Sequence, residues 1–349
     1  MLGDFPSRRR SAKIPAGNRR LGMFELKGYG AYAPPDEITT AEIAGRYGDD
    51  AASHADRTGV RRRFYAGGMS QVEMGLAAAR AALEDAGLEP GAVDLLIAAA
   101  AVPYQAIPGT ASVYARHLGL ADGGVATMDV NTTCLSFVSA LDLAATYIAA
   151  GHARCVLIVT SEMASRGLPW HDDPETAAIF GDGAAAVVVT PGDSRIAARS
   201  FQTYGSAWEA CQLEAGGTRF DHLAEDFEMS GHAYFRMNGK ELFKLTASHF
   251  PGFVDGLIAA AGWQRDQITR VIPHQASPLG LRHVMKVCKF APEAFVDMVS
   301  EFGNMIAASI PFVMARERAA GRIAAGDKVL LLGTSAGVSF GGLALEIAR

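Results

Sequence analysis

The chain has 349 residues, of which 49% are hydrophobic and 20% charged, a balance that suits a globular protein with a sizeable core and excludes disorder. A net charge of −5 gives no overall attraction for nucleic acid, and no apolar run is long enough to span a bilayer. Cys134, Cys155, Cys211 and Cys288 show no CxxC spacing, which argues against a zinc site or a disulfide framework and for a reducing, cytoplasmic setting. Met1 to Arg20 carries Arg8, Arg9, Arg10, Lys13, Arg19 and Arg20 against Asp4, lacks the apolar core of a signal peptide, and reads as a solvated basic extension.

Leu26 to Tyr32 reads as the first strand, and Thr39/Thr40 start a short helix through Tyr47. Thr58-Gly59 marks a turn, and the arginines around it, Arg57 and Arg61 to Arg63, suit either an anionic ligand or the surface. Ser70 and Glu73 have the spacing of a capping box, opening a helix that stops at Ala86-Gly87. Val93 to Ala101 is a buried-strand run, and Val125 to Val130 another. The second run leads to Asp129-Val-Asn-Thr-Thr-Cys134, followed by a small-residue helix from Leu135 to Ala150 that is apolar nearly all round and belongs between layers. Cys134 therefore stands at a strand-to-helix turn. There the free N–H groups and partial positive charge of a helix start favour a thiolate, although burial is the commoner fate of a free cysteine.

Val156 to Thr160 is the next strand, and Phe180-Gly-Asp-Gly183 a tight turn into a buried one, without the spacing or lysine of a phosphate loop. Pro191 to Met237 reads as irregular. Two landmarks of the first half then recur 175 residues later, each after an alanine and before a strand: Gly87 as Gly262 and Gly151 as Gly326. The chain thus reads as a duplicated set of α/β units with a mostly parallel sheet: extension 1–20, an N-terminal half 21–190 with Cys134, and a C-terminal half 191–349. In the latter, His274 ends a buried strand in Val271-Ile-Pro-His274, and Asn304 follows Gly303 at the start of another small-residue helix. Singly, these are a structural histidine and a helix cap. Together with Cys134 they make a set able to run covalent thiol chemistry at the ends of elements.

Arg57-Thr-Gly59, the Cys134 turn, Phe180-Gly-Asp-Gly183, Pro273-His-Gln-Ala276 and Gly303-Asn304 with Ala307 to Pro311 resemble the β-ketoacyl-acyl-carrier-protein synthase III family of the thiolase-like superfamily, over roughly Leu26 to Arg349. The resemblance implies a five-layer α-β-α-β-α fold in a homodimer, with no metal and no cofactor. It implies that Cys134 takes an acyl group from acyl-CoA or an acyl carrier. His274 and Asn304 then polarise a malonyl thioester, borne on acyl carrier protein, for decarboxylative condensation to a 3-ketoacyl thioester. The backbone N–H groups of Cys134 and Ala336 would form the oxyanion hole, and Arg57, Ile107, Phe243 and Ser277 would contact substrate. Departures are Ser53 and Pro174 where a tryptophan and an arginine hold coenzyme A, Lys240, Ser277 and Leu279 in place of further contacts, and Ser335-Ala-Gly337 in place of three glycines. These leave room for a condensing enzyme or acyltransferase of secondary metabolism with another acceptor. A non-catalytic dimerisation partner and a Cys/His hydrolase are the readings from other classes. Val102 to Pro108 holds no acid, which disfavours head-to-head condensation of two acyl chains.

Overall fold

The computed structural model describes residues 23–221 and 228–348, so the basic extension 1–20 lies outside the described residues. β1 (Met23–Tyr32) opens the fold, and β2 (Asp36–Thr39) pairs with β3 (Arg62–Tyr65) around α1 (Thr40–Tyr47) and α2 (Asp49–Thr58). The α1 capping residue is Thr39, in a reciprocal pair with Glu42. Sequence reasoning missed α2, because its buried face is only Ala51, Ala52 and Ala55. α3 (Gln71–Ala86) begins on the Ser70/Glu73 capping box and ends at Gly87, φ 65°. There follow β4 (Leu95–Ala99), α4 (Thr110–His117), β5 (Ala126–Val130), α5 (Ser136–Ala149), β6 (Val156–Glu162), α6 (Pro174–Ala177) and β7 (Gly183–Thr203). After the small pair β8 (Cys211–Gln212) and β9 (Arg236–Met237) come α7 (Gly239–Ala261), β10 (Arg270–Pro273), α8 (Pro278–Val287), α9 (Val299–Phe302), α10 (Ser309–Ala319), β11 (Lys328–Ser335) and β12 (Ser339–Glu346).

One hydrogen-bonded sheet runs β10-β11-β12-β7-β6-β4-β5, with β1 also on β7. It is mixed rather than mostly parallel. β4·β5, β4·β6 and β10·β11 are parallel, while β1·β7, β6·β7, β11·β12 and β12·β7 are antiparallel. The alternating strand and helix pattern suggested crossovers throughout, but β12 returns directly from β11 through a tight connection, which only an antiparallel pair allows. The stretch after Pro191 is not irregular at first either. β7 continues to Thr203, pairing with β6 through Val189 and with β12 from Arg195 on. Between these, β1 residues Phe24 and Glu25 face Ser194 and Thr190, so Pro191 to Asp193 bulge out of the ladder. A bulge tolerates the missing proline N–H and turns the strand into the second half of the sheet.

Residue parity builds five layers. On β4, Leu95, Ile97 and Ala99 face a central core while Leu96 and Ala98 face an outer one, and on β11 Val329 and Leu331 face the centre while Leu330 and Leu332 face the opposite side. The central layer is α5 and α10, the first outer layer α3 and α4, the second α7 and α8. The α5 side chains Phe137, Val138, Ala140, Leu141 and Ala144 are all inaccessible, but Leu143, Thr146 and Ala149 are exposed, so the helix is not buried all round as its apolarity suggests. Of the landmark glycines, Gly87 and Gly262 are equivalent left-handed caps at φ 65° and 70°, whereas Gly151, φ 72°, follows α5 directly and Gly326, φ 90°, stands in a turn seven residues beyond α10.

Candidate active site

β5 delivers the chain to Asn131, and a 3-10 turn, Thr133–Leu135, precedes α5. Cys134 lies in that turn, one element before the helix proper. Thr133 sits at φ 53°, rare for a β-branched residue, so the turn needs holding. Asn131 Oδ1 accepts the Thr133 N–H at 2.9 Å, and Ser136 Oγ accepts the Thr132 N–H at 3.0 Å and donates to Thr133 O at 2.7 Å. From the other half, Ser335 Oγ accepts the Cys134 N–H at 3.1 Å and donates to Thr132 O at 2.8 Å.

Burial pushes the Cys134 thiol well above the usual thiol range, with Cys211 and Glu162 nearby pushing the same way. The Ala336 N–H and the Ser335 hydroxyl pull it down without offsetting burial. Desolvation of the charged form thus opposes the thiolate that the helix start favours. Iodoacetamide modification of Cys134, followed by peptide mapping, is therefore expected to stay slow from pH 6 to 8 and to keep rising above that range, because the rate follows the thiolate fraction. A plateau below pH 8 would contradict this.

His274 follows β10 and is buried, its N–H donating to Leu332 O of β11 at 2.8 Å. Burial lowers the imidazole to about 4, so the ring is neutral at ordinary pH, and Nδ1 is buried without a hydrogen-bond partner. Gly333 makes the approach possible: a Cβ there would stand 2.6 Å from His274 Cβ and 3.4 Å from Leu135 Cδ2.

Asn304 is buried beside the Phe180-Gly-Asp-Gly turn. Its N–H donates to Ile179 O at 2.8 Å and its carbonyl accepts the Gly181 N–H at 3.2 Å. The turn is thus structural. Its Asp182 accepts the N–H groups of Ala66 and Ser165, both at 2.8 Å, and the Ser165 hydroxyl at 2.6 Å. Asn304 Nδ2 donates to Ala276 O at 3.2 Å and Oδ1 accepts the Ile306 N–H at 2.8 Å. The second N–H of Nδ2 remains as a donor for a ligand. Ile306, φ 48°, opens a 3-10 turn ahead of α10, as Thr133 does ahead of α5. Two strained turns stand at matching places in the two halves, Cys134 within the first and Asn304 two residues ahead of the second, and the β11 end touches both Cys134 and His274.

The remaining expected residues lie elsewhere. Arg57 is exposed at the end of α2, donating to Ser53 Oγ at 3.1 Å and meeting the His54 ring at 2.7 Å. Gly59 packs against Pro278, and Ser277 caps α8 by accepting the Gly280 N–H at 3.1 Å. Phe243 is half exposed, its ring 4.7 Å from that of His283 on α8, so α2, α7 and α8 form one rim. Ile107 is 87% exposed on the segment after β4. The arginine run splits two ways: Arg61 and Arg62 pair with Glu301, whereas Arg63 is buried on the carbonyls of Ile38, Val60 and Ala178. Beside Arg57 a cleft of about 360 Å³ is lined by Asp50, Asp172, Asp173 and Glu175 together with His54 and His171. Sequence reasoning missed Glu162, a buried acid at the end of the apolar run of β6. Burial raises it to about 8, and it accepts the Ala101 N–H at 2.6 Å. Its only signal was a carboxylate closing a strand otherwise buried throughout. Among the described residues no group of His, Cys, Asp and Glu is arranged to hold a metal ion.

Residues 128–205 match the family 3-Oxoacyl-[acyl-carrier-protein (ACP)] synthase III, and residues 258–347 match 3-Oxoacyl-[acyl-carrier-protein (ACP)] synthase III C terminal. The β-ketoacyl-[acyl-carrier-protein] synthase III of Agrobacterium fabrum is 34% identical over 327 residues, which span 92% of this chain and 98% of that protein. The crystal structure of 3-oxoacyl-(acyl carrier protein) synthase III from Pseudomonas aeruginosa PAO1 superposes with a TM-score of 0.83 at 30% identity, covering 94% of this chain and 99% of that one. Xanthomonas campestris OleA, at 21% identity and a TM-score of 0.82 over 93% of this chain and 99% of that one, shares the fold.

Proposed function

The chain belongs to the 3-oxoacyl-[acyl-carrier-protein] synthase III family, and from that we propose that it condenses an acyl group held on Cys134 with a malonyl-type thioester. It is an acyltransferase of the condensing kind, and the observation that supports the site assignment is Cys134 in the turn before α5, Asn304 just ahead of the matching turn before α10, and His274 bonded to the strand whose end also holds Cys134. Cys134 Sγ attacks the donor thioester carbonyl. The new S–C bond replaces the bond to the donor sulfur, and the thiol proton passes to that leaving sulfur, with neutral His274 as the carrier. The carbonyl oxygen is held by the N–H groups of Cys134 and Ala336. In the second step the malonyl carboxylate leaves as CO2 and its electron pair passes into the enolate. His274 and the free N–H of Asn304 donate to that enolate oxygen, where charge grows only as the bond breaks. The enolate carbon attacks the acyl carbon, Cys134 sulfur leaves as thiolate and takes a proton from solvent, and a 3-ketoacyl thioester departs.

We propose the chain division 1–20, 21–190 and 191–349, the last boundary falling at the bulge in β7. The donor is best read as carrier-borne. Arg57 is already engaged by Ser53 and His54, and the acid-walled cleft beside it repels the diphosphate of coenzyme A. Arg57, Phe243 and Ser277 would line that entrance. A cytoplasmic setting agrees with the four free cysteines, and among the described residues no helix is long and apolar enough to cross a membrane. The chain acts as a homodimer: β5 ends the sheet with an open edge, next to exposed Val102, Tyr104 and Ile107. Ile107→Asp is expected to shift the sedimenting species from dimer to monomer with secondary structure unchanged. An unshifted species would remove Ile107 from the interface.

Intact-protein mass spectrometry tests the function. Acyl carriers and acyl-CoAs are offered in turn, then malonyl carrier. An adduct that vanishes on malonyl addition, with 3-ketoacyl product, is the expected result. An adduct that persists until another nucleophile is supplied would point instead to plain acyl transfer.

A further inference from the structure

The nucleophile turn is held by its own neighbours, Asn131 and Ser136, and by one side chain from the other half, Ser335. The local contacts move with the turn. Ser335 does not: it ends β11, pairs across the hairpin with Ser339, and is 5% exposed. It reaches both sides of strained Thr133 at once, through the Thr132 carbonyl and the Cys134 N–H. The same strand end fixes His274, through Leu332 O and the bare Cα of Gly333. We infer that the Ser335 hydroxyl is a positioning residue that locks the Cys134 turn in register with His274 and Asn304, and so sets the rate of acyl transfer to the thiol. The inference rests on Cys134 being the nucleophile. The bridge takes up the Cys134 N–H in the resting protein, and the incoming carbonyl oxygen displaces the hydroxyl from that N–H while its bond to Thr132 O persists. The contribution to position outweighs the cost of that exchange, because a β-branched residue at positive φ drifts once unclamped.

The test compares the full-length chain with Ser335→Ala and Ser335→Thr. Single-turnover acylation by a donor that labels the wild type is followed by intact mass, alongside malonyl-thioester decarboxylation, iodoacetamide profiles and thermal melting. Ser335→Ala is expected to acylate about 10- to 30-fold more slowly, the scale of losing hydrogen bonds to a buried turn, with the half-saturating donor concentration within about twofold of wild type. Malonyl decarboxylation, which rests on His274 and Asn304, is expected to stay within about twofold, and Ser335→Thr to restore acylation to within about threefold. Removing the hydroxyl also moves the alkylation profile to higher pH. Acylation by Ser335→Ala at or above the wild-type rate would overturn the inference, as would decarboxylation falling in parallel. If the wild type takes no acyl group, the assignment of Cys134 fails instead, and the alkylation profile alone decides on Ser335: unmoved, it overturns the inference. Should Ser335→Ala not fold, Ser335→Cys, similar in shape and a weak donor, is expected to show the same loss.

Discussion

Cys134→Ala removes the acyl adduct from the intact-mass spectrum and lowers condensation by about 10⁴-fold or more, the scale at which deleting a nucleophile usually acts. The reason is covalent. With no sulfur to hold the acyl group, its carbonyl carbon never stands beside the enolate. Cys155 and Cys288 cannot substitute, because both are buried in the outer cores, away from the Cys134 turn. The variant should still decarboxylate a malonyl thioester slowly, because His274 and Asn304 are held by contacts that do not involve the thiol: Leu332 O, Ala276 O and the Ile306 N–H. Removal of a methyl-sized group from a half-buried turn leaves the fold intact, so a melting midpoint within a few degrees of wild type separates loss of chemistry from loss of structure. An acyl adduct persisting in Cys134→Ala would move the nucleophile to another residue.

Local rules made much of this legible. Capping boxes at Thr39 and Ser70 and the left-handed glycines at 87 and 262 act within a few residues, so pattern and spacing suffice to find them. The duplicated design showed through the same glycines. What escaped depends on distant partners. Pro191-Gly192 reads as a chain break until β1 and β12 supply the ladder that carries β7 across it. Arg63 reads as surface or ligand contact until three carbonyls from separate segments enclose it. The burial that opposes a Cys134 thiolate comes from both halves, and no local feature of the turn reveals it. Cys134, His274 and Asn304 were legible as types at element ends. The clasp from Ser335, 201 residues away from Cys134, was visible only as an unusual side chain where a glycine run was expected.

Asn304→Asp is expected to separate the two half-reactions. Acylation of Cys134 should proceed within about threefold of wild type, whereas malonyl decarboxylation and condensation fall by about 10²- to 10³-fold, the scale of losing one donor to a developing oxyanion. The side chain is nearly isosteric, and a carboxylate oxygen can still accept the Ile306 N–H that Oδ1 accepts at 2.8 Å. The other oxygen, in place of Nδ2, loses the donation to Ala276 O at 3.2 Å and the free N–H together. It also puts negative charge where the enolate oxygen forms, so its effect on the transition state exceeds a simple deletion. Asn304→Ala removes the donor without adding charge and should fall less. His274 gives the matching control: its ring is neutral above about pH 4, so it acts by hydrogen bonding rather than by charge, and the defect of Asn304→Asp should not shrink between pH 6 and 8. Equal losses in acylation and decarboxylation would show that Asn304 supports the whole site rather than the second step, and would return the assignment of its amide to a structural cap.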